Sequence, residues 1–322
     1  MKRMSDYRAM LEDEIKQIKL PVDNLPGLYQ PIYYSMENGG KRLRPILLLM
    51  TCDAFGGNLD EARRAALGIE MYHNFTLVHD DVMDRSDLRR GKPTVCRKWD
   101  TDTAILSGDV MLTLANQYMT EVPDKALRGV IDEFNRMALG VYEGQQLDME
   151  FEKADDVTID KYLEMIRLKT SVLLGAACAI GARIAGADEK DCEVMFRFGE
   201  SLGVAFQIQD DYLDVYGDAT TFGKPLGGDI NNGKKTFLTL KTLEAGGANA
   251  EALKSAMNLP VGDLRVRTVR NIMTAAEMPR VCRKAWDEWS GRAIKSLTET
   301  SLDKESTAAL KSVVEKLIDR KK

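Results

Sequence analysis

Helical spacing of apolar residues extends over most of this 322-residue chain. In the first such segment, Arg8–Ile18, apolar residues recur on one helical face and acidic residues lie elsewhere. The same pattern predicts further helices over Pro45–Phe55, Leu59–Asp84, Asp102–Thr120, Lys125–Lys153, Ile159–Ala185, Lys190–Tyr216, Phe237–Glu244, Glu251–Met257, Asp263–Met278, Arg280–Thr298 and Lys304–Lys322. Alternation typical of strands is nearly absent. The pattern therefore predicts an all-α fold.

One predicted helical stretch is apolar nearly all the way round. It runs from Ser171 to Ile184 with the sequence SVLLGAACAIGARI. Such a helix belongs either at the centre of a bundle or in a subunit interface. The weakest joint between predicted helices is Ala245–Asn249, which indicates a surface loop and not a linker. We therefore expect residues 1–322 to form a single domain.

Composition narrows the class of protein. Hydrophobic residues make up 44% of the chain and charged residues 30%, with a net charge of -5. This balance argues against a nucleic-acid binder, which normally carries a basic excess. The N-terminus is too charged for a secretory signal, and no run of 18 apolar residues occurs, so we expect a cytoplasmic protein without a transmembrane segment. The five scattered cysteines predict reduced thiols.

Two aspartate motifs of the form DDxxD carry the candidate chemistry. They are Asp80–Asp84 and Asp210–Asp214, and each follows an apolar helical run. Positions i and i+4 share one face of a helix, so the outer carboxylates of each motif repel one another unless a cation binds. Carboxylate oxygens suit Mg²⁺. The spacing excludes an EF-hand, whereas a two-metal nuclease site and solvated acidic helix ends remain open on these residues alone.

Basic, glycine-containing segments accompany the acids. They are GGKRLRP at Gly39–Pro45, RRGKP at Arg89–Pro93, Lys224–Pro225 and KKT at Lys234–Thr236. Arginine and lysine bind phosphate oxygens, and glycine lets the backbone approach them. Each segment alone is compatible with a solvated basic turn. Together with the carboxylates they indicate two phosphate sites, one bridged by metal and one free of it; the absence of a GxxxxGK[ST] loop excludes a P-loop enzyme.

These motifs resemble those of a known family. GGKRLRP, HNFTLVHDDVMDRSDLRRGKPT, GQQLD, LKT, FQIQDDYLD and GKPLGGDINNGKKT are similar to the trans-isoprenyl diphosphate synthases, such as farnesyl and geranylgeranyl diphosphate synthases. The resemblance runs from Gly39 to Thr236. It implies an isoprenoid-synthase-type orthogonal helix bundle around a central cavity, in a homodimer. It also implies head-to-tail (1'-4) condensation of isopentenyl diphosphate with an allylic diphosphate (dimethylallyl, geranyl or farnesyl), which releases pyrophosphate.

The resemblance implies a role for each motif residue. Mg²⁺, three ions per site with Mn²⁺ as a substitute, would be bound by Asp80, Asp84 and Asp210, with Asp81, Asp211 and Asp214 in or beside the metal shell. The allylic diphosphate would be bound by Arg89, Lys169, Lys224 and Lys234. The diphosphate of isopentenyl diphosphate would be bound by Lys41, Arg44, His73 and Arg90. Thr170 and Gln207 would steady the carbocation, and Gln145 and Asp148 would support the metals and lysines. We expect the remaining histidine, His79, to be structural.

Product length is expected to depend on the residues that precede Asp80. Helical spacing places Tyr72, Phe75 and Thr76 along the wall below it. Phe75, five positions before the motif, is bulky enough to stop a growing tail early, whereas Thr76 is small. We therefore expect a C20 product, with C15 next. The alternative is that Tyr72 and Phe75 are ordinary core aromatics.

Two other functions share parts of this pattern. A class I terpene cyclase has a similar fold and an aspartate motif, but it lacks the isopentenyl diphosphate pocket that Lys41, Arg44 and Arg90 indicate. A non-catalytic, synthase-like subunit typically loses aspartates or basic residues, and this chain keeps them. Both alternatives are therefore disfavoured, as is an unrelated helical scaffold.

Overall fold

The computed structural model of the chain describes residues 1–218 and 226–318, which are mostly helical. The helices begin with α1 (Met4–Lys16), α2 (Pro26–Glu37), α3 (Leu43–Ala54), α4 (Leu59–Met83), α5 (Val95–Lys98), α6 (Thr101–Met119), α7 (Asp124–Lys153) and α8 (Ile159–Ile166). They continue with α9 (Val172–Ala185), α10 (Glu189–Tyr216), α11 (Gly228–Asn231), α12 (Phe237–Glu244), α13 (Gly247–Met257), α14 (Asp263–Ala275), α15 (Met278–Ser296) and α16 (Lys304–Ile318). The all-α prediction is confirmed.

The chain divides into two compact units. The first unit comprises Met1–Asn135, Ala176–Met195 and Thr300–Leu310. The second unit comprises Arg136–Gly175, Phe196–Glu299 and Lys311–Lys322. The expectation of a single domain over residues 1–322 stays a prediction.

Helix α4 forms the centre of the first unit. It packs against α6 and α3, and also contacts α1 and α2. Asn58 caps its N-terminus, because the side-chain oxygen accepts a hydrogen bond from the backbone N–H of Asp60 at 3.0 Å. Leu67, Ile69 and Met71 in its middle are fully buried. This packing fixes the position of the helix that carries the first aspartate motif.

The second unit has its own core. Helices α8, α10, α12, α14 and α15 contribute buried residues that include Tyr162, Ile208, Leu238, Met273 and Trp286. Ile208 lies two positions before the second aspartate motif, so the same packing fixes the helix that carries the motif.

Some local features differ from the sequence expectations. The predicted helix Ile159–Ala185 is interrupted by a π-helical turn, Arg167–Ser171. Helix α2 is absent from the predicted helices; it begins at Pro26 and contains Pro31, and proline is disfavoured inside a helix. A two-residue hairpin, β1 (Leu88–Arg89) and β2 (Lys92–Pro93), pairs Arg89 with Lys92. Its turn residues have positive φ, the geometry of a tight hairpin, but Arg-Gly is a weak sequence signal for it.

The apolar stretch around the π-helical turn is mostly internal. By length and composition Ile159–Ala185 could cross a membrane, yet 78% of its apolar window is buried within the structure. Core helices of soluble proteins pass the same test, so this is weak evidence for a membrane span. The burial favours the core position for Ser171–Ile184. All five cysteines are free, as predicted.

Candidate active site

The first aspartate motif ends helix α4. Asp80 is half-buried, Asp84 caps the helix and is exposed, and Asp81 is buried. The carboxylate of Asp81 accepts a hydrogen bond from Nε of Arg89 at 2.8 Å, and Nη2 of Arg89 forms an ion pair with it at 2.7 Å. Burial alone would lower the pKa of Arg89, but this ion pair outweighs it and raises that pKa. Arg89 therefore stabilises the motif directly, in addition to any role with substrate.

In the first unit, several arginines surround His73. Nη1 of Arg44 lies 3.3 Å from Nε2 of His73. Burial of the ring, together with the charges of Arg44, Arg90, Arg89 and Arg42, lowers the pKa of His73 well below its usual 6.5. His73 is therefore neutral at physiological pH. The surroundings of this ring form a cationic site able to receive an anion.

The glycine pair of GGKRLRP joins this cationic site. Arg90 donates a hydrogen bond to the carbonyl of Gly39. Gly40 has φ +124°, and a Cβ there would lie 2.9 Å from the guanidinium carbon of Arg90. Only glycine combines this backbone conformation with so close an approach. The structure thus brings two motifs that are distant in sequence into one pocket.

Arg42, inside the same motif, is a structural residue that the sequence did not reveal. Its side chain is 1% exposed and donates to Glu70, which is 2% exposed, at 2.6 Å. Asn74 donates to the same Glu70 oxygen at 2.9 Å. Arg42 also has positive φ at the start of α3. This buried network ties the glycine loop to α4, and no spacing rule would have predicted it.

The second aspartate motif lies inside α10. Asp210 is half-buried, whereas Asp211 and Asp214 are 4% and 7% exposed. Asp211 accepts hydrogen bonds from the hydroxyl of Tyr162 at 2.5 Å, from Nε2 of Gln207 at 3.0 Å and from the backbone N–H of Phe237 at 3.0 Å. Burial, and then the charge of Asp229, raise the pKa of Asp211 to about 7 despite these bonds. Asp214 accepts from the backbone N–H of Asp229 at 3.2 Å.

Lysines of the second unit gather around Asp148. Nζ of Lys169 lies 2.6 Å from its carboxylate, and Nζ of Lys234 lies 3.8 Å from it. Both lysine side chains are mostly buried, so the acid holds two cations close together in a partly dry environment. Asp148 contacts the predicted phosphate-binding lysines, and it orients them.

Lys169 and Thr170 lie on the π-helical turn. A Cβ at Gly144 would lie 2.2 Å from the backbone nitrogen of Lys169, so the glycine of GQQLD permits this close approach of α7. Thr170 donates a hydrogen bond to Oε1 of Gln207 at 3.2 Å. π-helical turns recur at functional sites because they re-aim side chains. Here the turn brings Thr170 into contact with Gln207 and Lys169 into contact with Asp148. Gln145, the residue after Gly144 on α7, is buried.

The predicted chain-length residues lie in a buried aromatic row. The ring of Tyr72 packs 5.3 Å from Phe134 and 5.5 Å from Phe75, centroid to centroid. Phe75 in turn packs 4.7 Å from His79. The hydroxyl of Thr76 donates to the carbonyl of His73 at 2.8 Å. These contacts fix the orientation of Phe75; its role in product length stays a prediction.

His79 contacts neighbouring backbone and not the cationic pocket. Its Nε2 lies 3.1 Å from the carbonyl oxygen of Ile105. A Cβ at Gly108 would lie 2.2 Å from the same nitrogen, so the ring packs directly on α6. These contacts agree with the structural role expected for His79.

The residues present fit magnesium on donor chemistry. Asp80, Asp84 and Asp210 supply hard oxygen donors, and Mg²⁺ is usually held by one or two carboxylates together with substrate phosphates. Within residues 1–218 and 226–318, no three His, Cys, Asp or Glu side chains form a metal-binding group. Asp211 and Asp214 take hydrogen bonds from the protein. Lys224 lies outside the described residues, and Lys41 is exposed beside the glycine loop.

Known proteins resemble this chain in sequence and in fold. A family profile described as polyprenyl synthetase matches residues 26–273. A geranylgeranyl diphosphate synthase of Sulfolobus acidocaldarius is 45% identical over 69% of this chain and 68% of its own length. A geranylfarnesyl diphosphate synthase of Natronomonas pharaonis is 37% identical over 76% of each chain. A crystal structure of a geranylgeranyl pyrophosphate synthase superposes with a TM-score of 0.94 at 41% identity, and the match covers 100% of both chains.

These findings confirm the predicted resemblance and the all-α isoprenoid-synthase fold; the central cavity stays a prediction. The matched region contains both aspartate motifs and the basic segments around His73 and Asp148. By sequence and by fold, the chain belongs to the polyprenyl synthetase family.

Proposed function

We propose that this protein is a magnesium-dependent trans-prenyltransferase that condenses isopentenyl diphosphate with an allylic diphosphate and releases pyrophosphate. The favoured product is the C20 geranylgeranyl diphosphate, with C15 next. We further propose three Mg²⁺ ions per site, replaceable by Mn²⁺, and a cytoplasmic homodimer.

One observation carries the proposal: arginines surround a neutral His73 beside the first aspartate motif. A diphosphate without metal needs several cationic donors, and forked guanidinium groups supply them. Arg44 and Arg90 are held here by His73 and by the Gly39 carbonyl. Such a metal-free site is what isopentenyl diphosphate requires, whereas a cyclase acting on one allylic diphosphate has no use for it.

The second cationic cluster supports binding of the allylic diphosphate. Lys169 and Lys234 meet at Asp148, and Arg89 is held by Asp81. Magnesium bound by Asp80, Asp84 and Asp210 would neutralise the departing pyrophosphate. The lysines and Arg89, which the resemblance assigns to the allylic diphosphate, would add positive charge to that leaving group. Breaking the allylic carbon–oxygen bond then becomes feasible without a protein nucleophile.

The carbocation that remains needs negative dipoles and protection from water. Thr170 donates its single hydroxyl hydrogen to Gln207, so its oxygen lone pairs stay available as the negative end of a dipole. The double bond of isopentenyl diphosphate attacks the cation, and loss of a proton gives the longer allylic diphosphate. Positioning two anions is thus the main task of the protein.

Turnover assays test this function. Purified protein is incubated with Mg²⁺, isopentenyl diphosphate and a C5, C10 or C15 allylic primer, and products are separated by length. We expect pyrophosphate release and a C20 product from each primer, and no turnover after chelation. Cyclic hydrocarbon from the allylic primer alone would instead show a terpene cyclase, and no turnover at all would show a non-catalytic subunit.

Product length is tested with a matched pair of aromatic variants. Phe75→Ala removes the bulk predicted to stop the tail, so the main product should exceed C20. Phe134→Leu is the control, because Phe134 belongs to the same aromatic row and is fully buried. Unchanged product length in Phe75→Ala would leave Phe75 as a core aromatic only.

A further inference from the structure

Asp211 lies where three chain segments of the second unit meet. Its carboxylate is bonded by Tyr162 from α8, by Gln207 from α10 and by the backbone of Phe237, the first residue of α12. Each segment also carries residues of the proposed site. The π-helical turn after α8 bears Lys169 and Thr170, and the loop before α12 bears Lys234.

Tyr162 is placed to hold this junction. Its side chain is 2% exposed, and its ring lies 6.3 Å from that of Phe237, centroid to centroid. Its hydroxyl donates to Oδ2 of Asp211, the oxygen that also accepts the N–H of Phe237. The other oxygen, Oδ1, accepts from Gln207. The hydroxyl of Tyr162 therefore fixes the orientation of the Asp211 carboxyl group, whose Oδ1 accepts the hydrogen bond from Gln207.

The orientation of Gln207 follows from these bonds. Nε2 donates to Asp211, and Oε1 accepts from Thr170. A side-chain amide has one donating and one accepting end, so the two bonds together allow a single orientation. Rotation of the Asp211 carboxyl would release the donating end and, with it, Thr170.

We infer that Tyr162 is a positioning residue, which holds Asp211 as an internal anchor and thereby orients Gln207 and Thr170 for the proposed reaction. The inference rests on the proposed function. It assigns Asp211 a role within the protein and leaves metal binding to Asp80, Asp84 and Asp210.

Tyr162→Phe tests the inference, because it removes one hydroxyl and keeps the packed ring. Tyr7→Phe is a matched control: Tyr7 is fully buried and donates to Oδ2 of Asp53 at 2.5 Å, in the first unit and outside the proposed site. Both variants should lower the melting temperature. At a temperature where both are folded, Tyr162→Phe should lower kcat by about 10- to 100-fold, as loss of a supporting contact does, with little change in KM.

The split between kcat and KM separates positioning from stability. Gln207 and Thr170 act on a charge that exists only after bond cleavage, so their misplacement lowers kcat and not substrate binding. Tyr7→Phe should keep the wild-type kcat. A kcat for Tyr162→Phe equal to that of Tyr7→Phe would overturn the inference.

A measurement without turnover tests the anchor directly. Wild type, Asp211→Asn and Asp210→Asn are melted with inorganic pyrophosphate over a Mg²⁺ titration. If Asp211 is an anchor, Asp211→Asn keeps the Mg²⁺-dependent rise in melting temperature, and Asp210→Asn loses it. Equal loss in both variants would make Asp211 a metal-binding residue and overturn the inference. Absence of turnover in the wild type would instead refute the proposed function, while this titration would still decide the role of Asp211.

Discussion

The second aspartate of each DDxxD motif is buried, but the two are stabilised by different partners. Asp81 is held by the charged guanidinium of Arg89, whereas Asp211 is held by a phenol, an amide and a backbone N–H. A full positive charge compensates a buried carboxylate better than neutral donors do. Burial, and then the charge of Asp229, raise the pKa of Asp211 to about 7 despite its neutral donors. Identical sequence patterns thus give one buried carboxylate with a cationic partner and one with neutral donors and a raised pKa.

In contrast to Asp81 and Asp211, the first aspartates of the two motifs, Asp80 and Asp210, should respond alike to substitution. Asp80→Asn and Asp210→Asn each remove a half-buried carboxylate that is proposed to bind magnesium. We expect kcat to fall by about 10²–10³-fold in each, as for loss of a group that stabilises charge in the transition state. Steady-state kinetics at saturating Mg²⁺ measures this. Asp13→Asn, an exposed change on α1, is the control. A fall in only one variant would mean that the motifs do not share one task.

Removal of the charged partner should destabilise more than removal of a neutral one. Arg89→Met leaves Asp81 buried without its cation, and we expect a loss of about 3 kcal/mol in the free energy of unfolding. Tyr162→Phe leaves Asp211 with two donors, and about 1 kcal/mol is expected. Denaturant unfolding measures both values. Equal losses would show that charge and neutral donors are equivalent at these sites.

A pH series should report on Asp211, because its raised pKa makes the free energy of unfolding depend on pH. The folded protein holds the Asp211 proton up to pH about 7, whereas an unfolded aspartate loses it near its usual 3.8. Because the folded state binds more protons in this window, the free energy of unfolding falls as pH rises from about 4 to 7, by at most about 1.4 kcal/mol per pH unit.

Asp211→Asn should remove this slope, because asparagine does not titrate. The low pKa of His73 acts in the opposite sense, since stability from a neutral histidine is lost as pH falls below its usual 6.5. His73 is present in both proteins, so the difference between their pH profiles isolates Asp211. Parallel profiles for wild type and variant would show that Asp211 is ionised throughout.

Sequence alone predicted most of the helices and indicated a chemistry for the motifs. Apolar spacing of three and four residues is a local property, so it predicted the bounds of α4 within one residue and those of α12 fully. Repeated carboxylates and basic, glycine-containing segments indicated phosphate and magnesium for the same reason, since ligand type is a property of side chains. Local rules failed at α2 and at the π-helical turn, where tertiary packing outweighs propensity.

Tertiary structure decided which motif residues are buried against partners elsewhere in the protein. Asp80 and Asp81 are neighbours in an identical motif context, yet only packing buries Asp81 against Arg89. Tyr162 and Asp211 are 49 positions apart, and Arg42 and Glu70 are 28 apart, so no periodicity connects them. Hydrogen bonds between distant segments form only once the helices have packed. The residue types therefore determine the chemistry this chain can do, and the fold determines the residues that hold it in place.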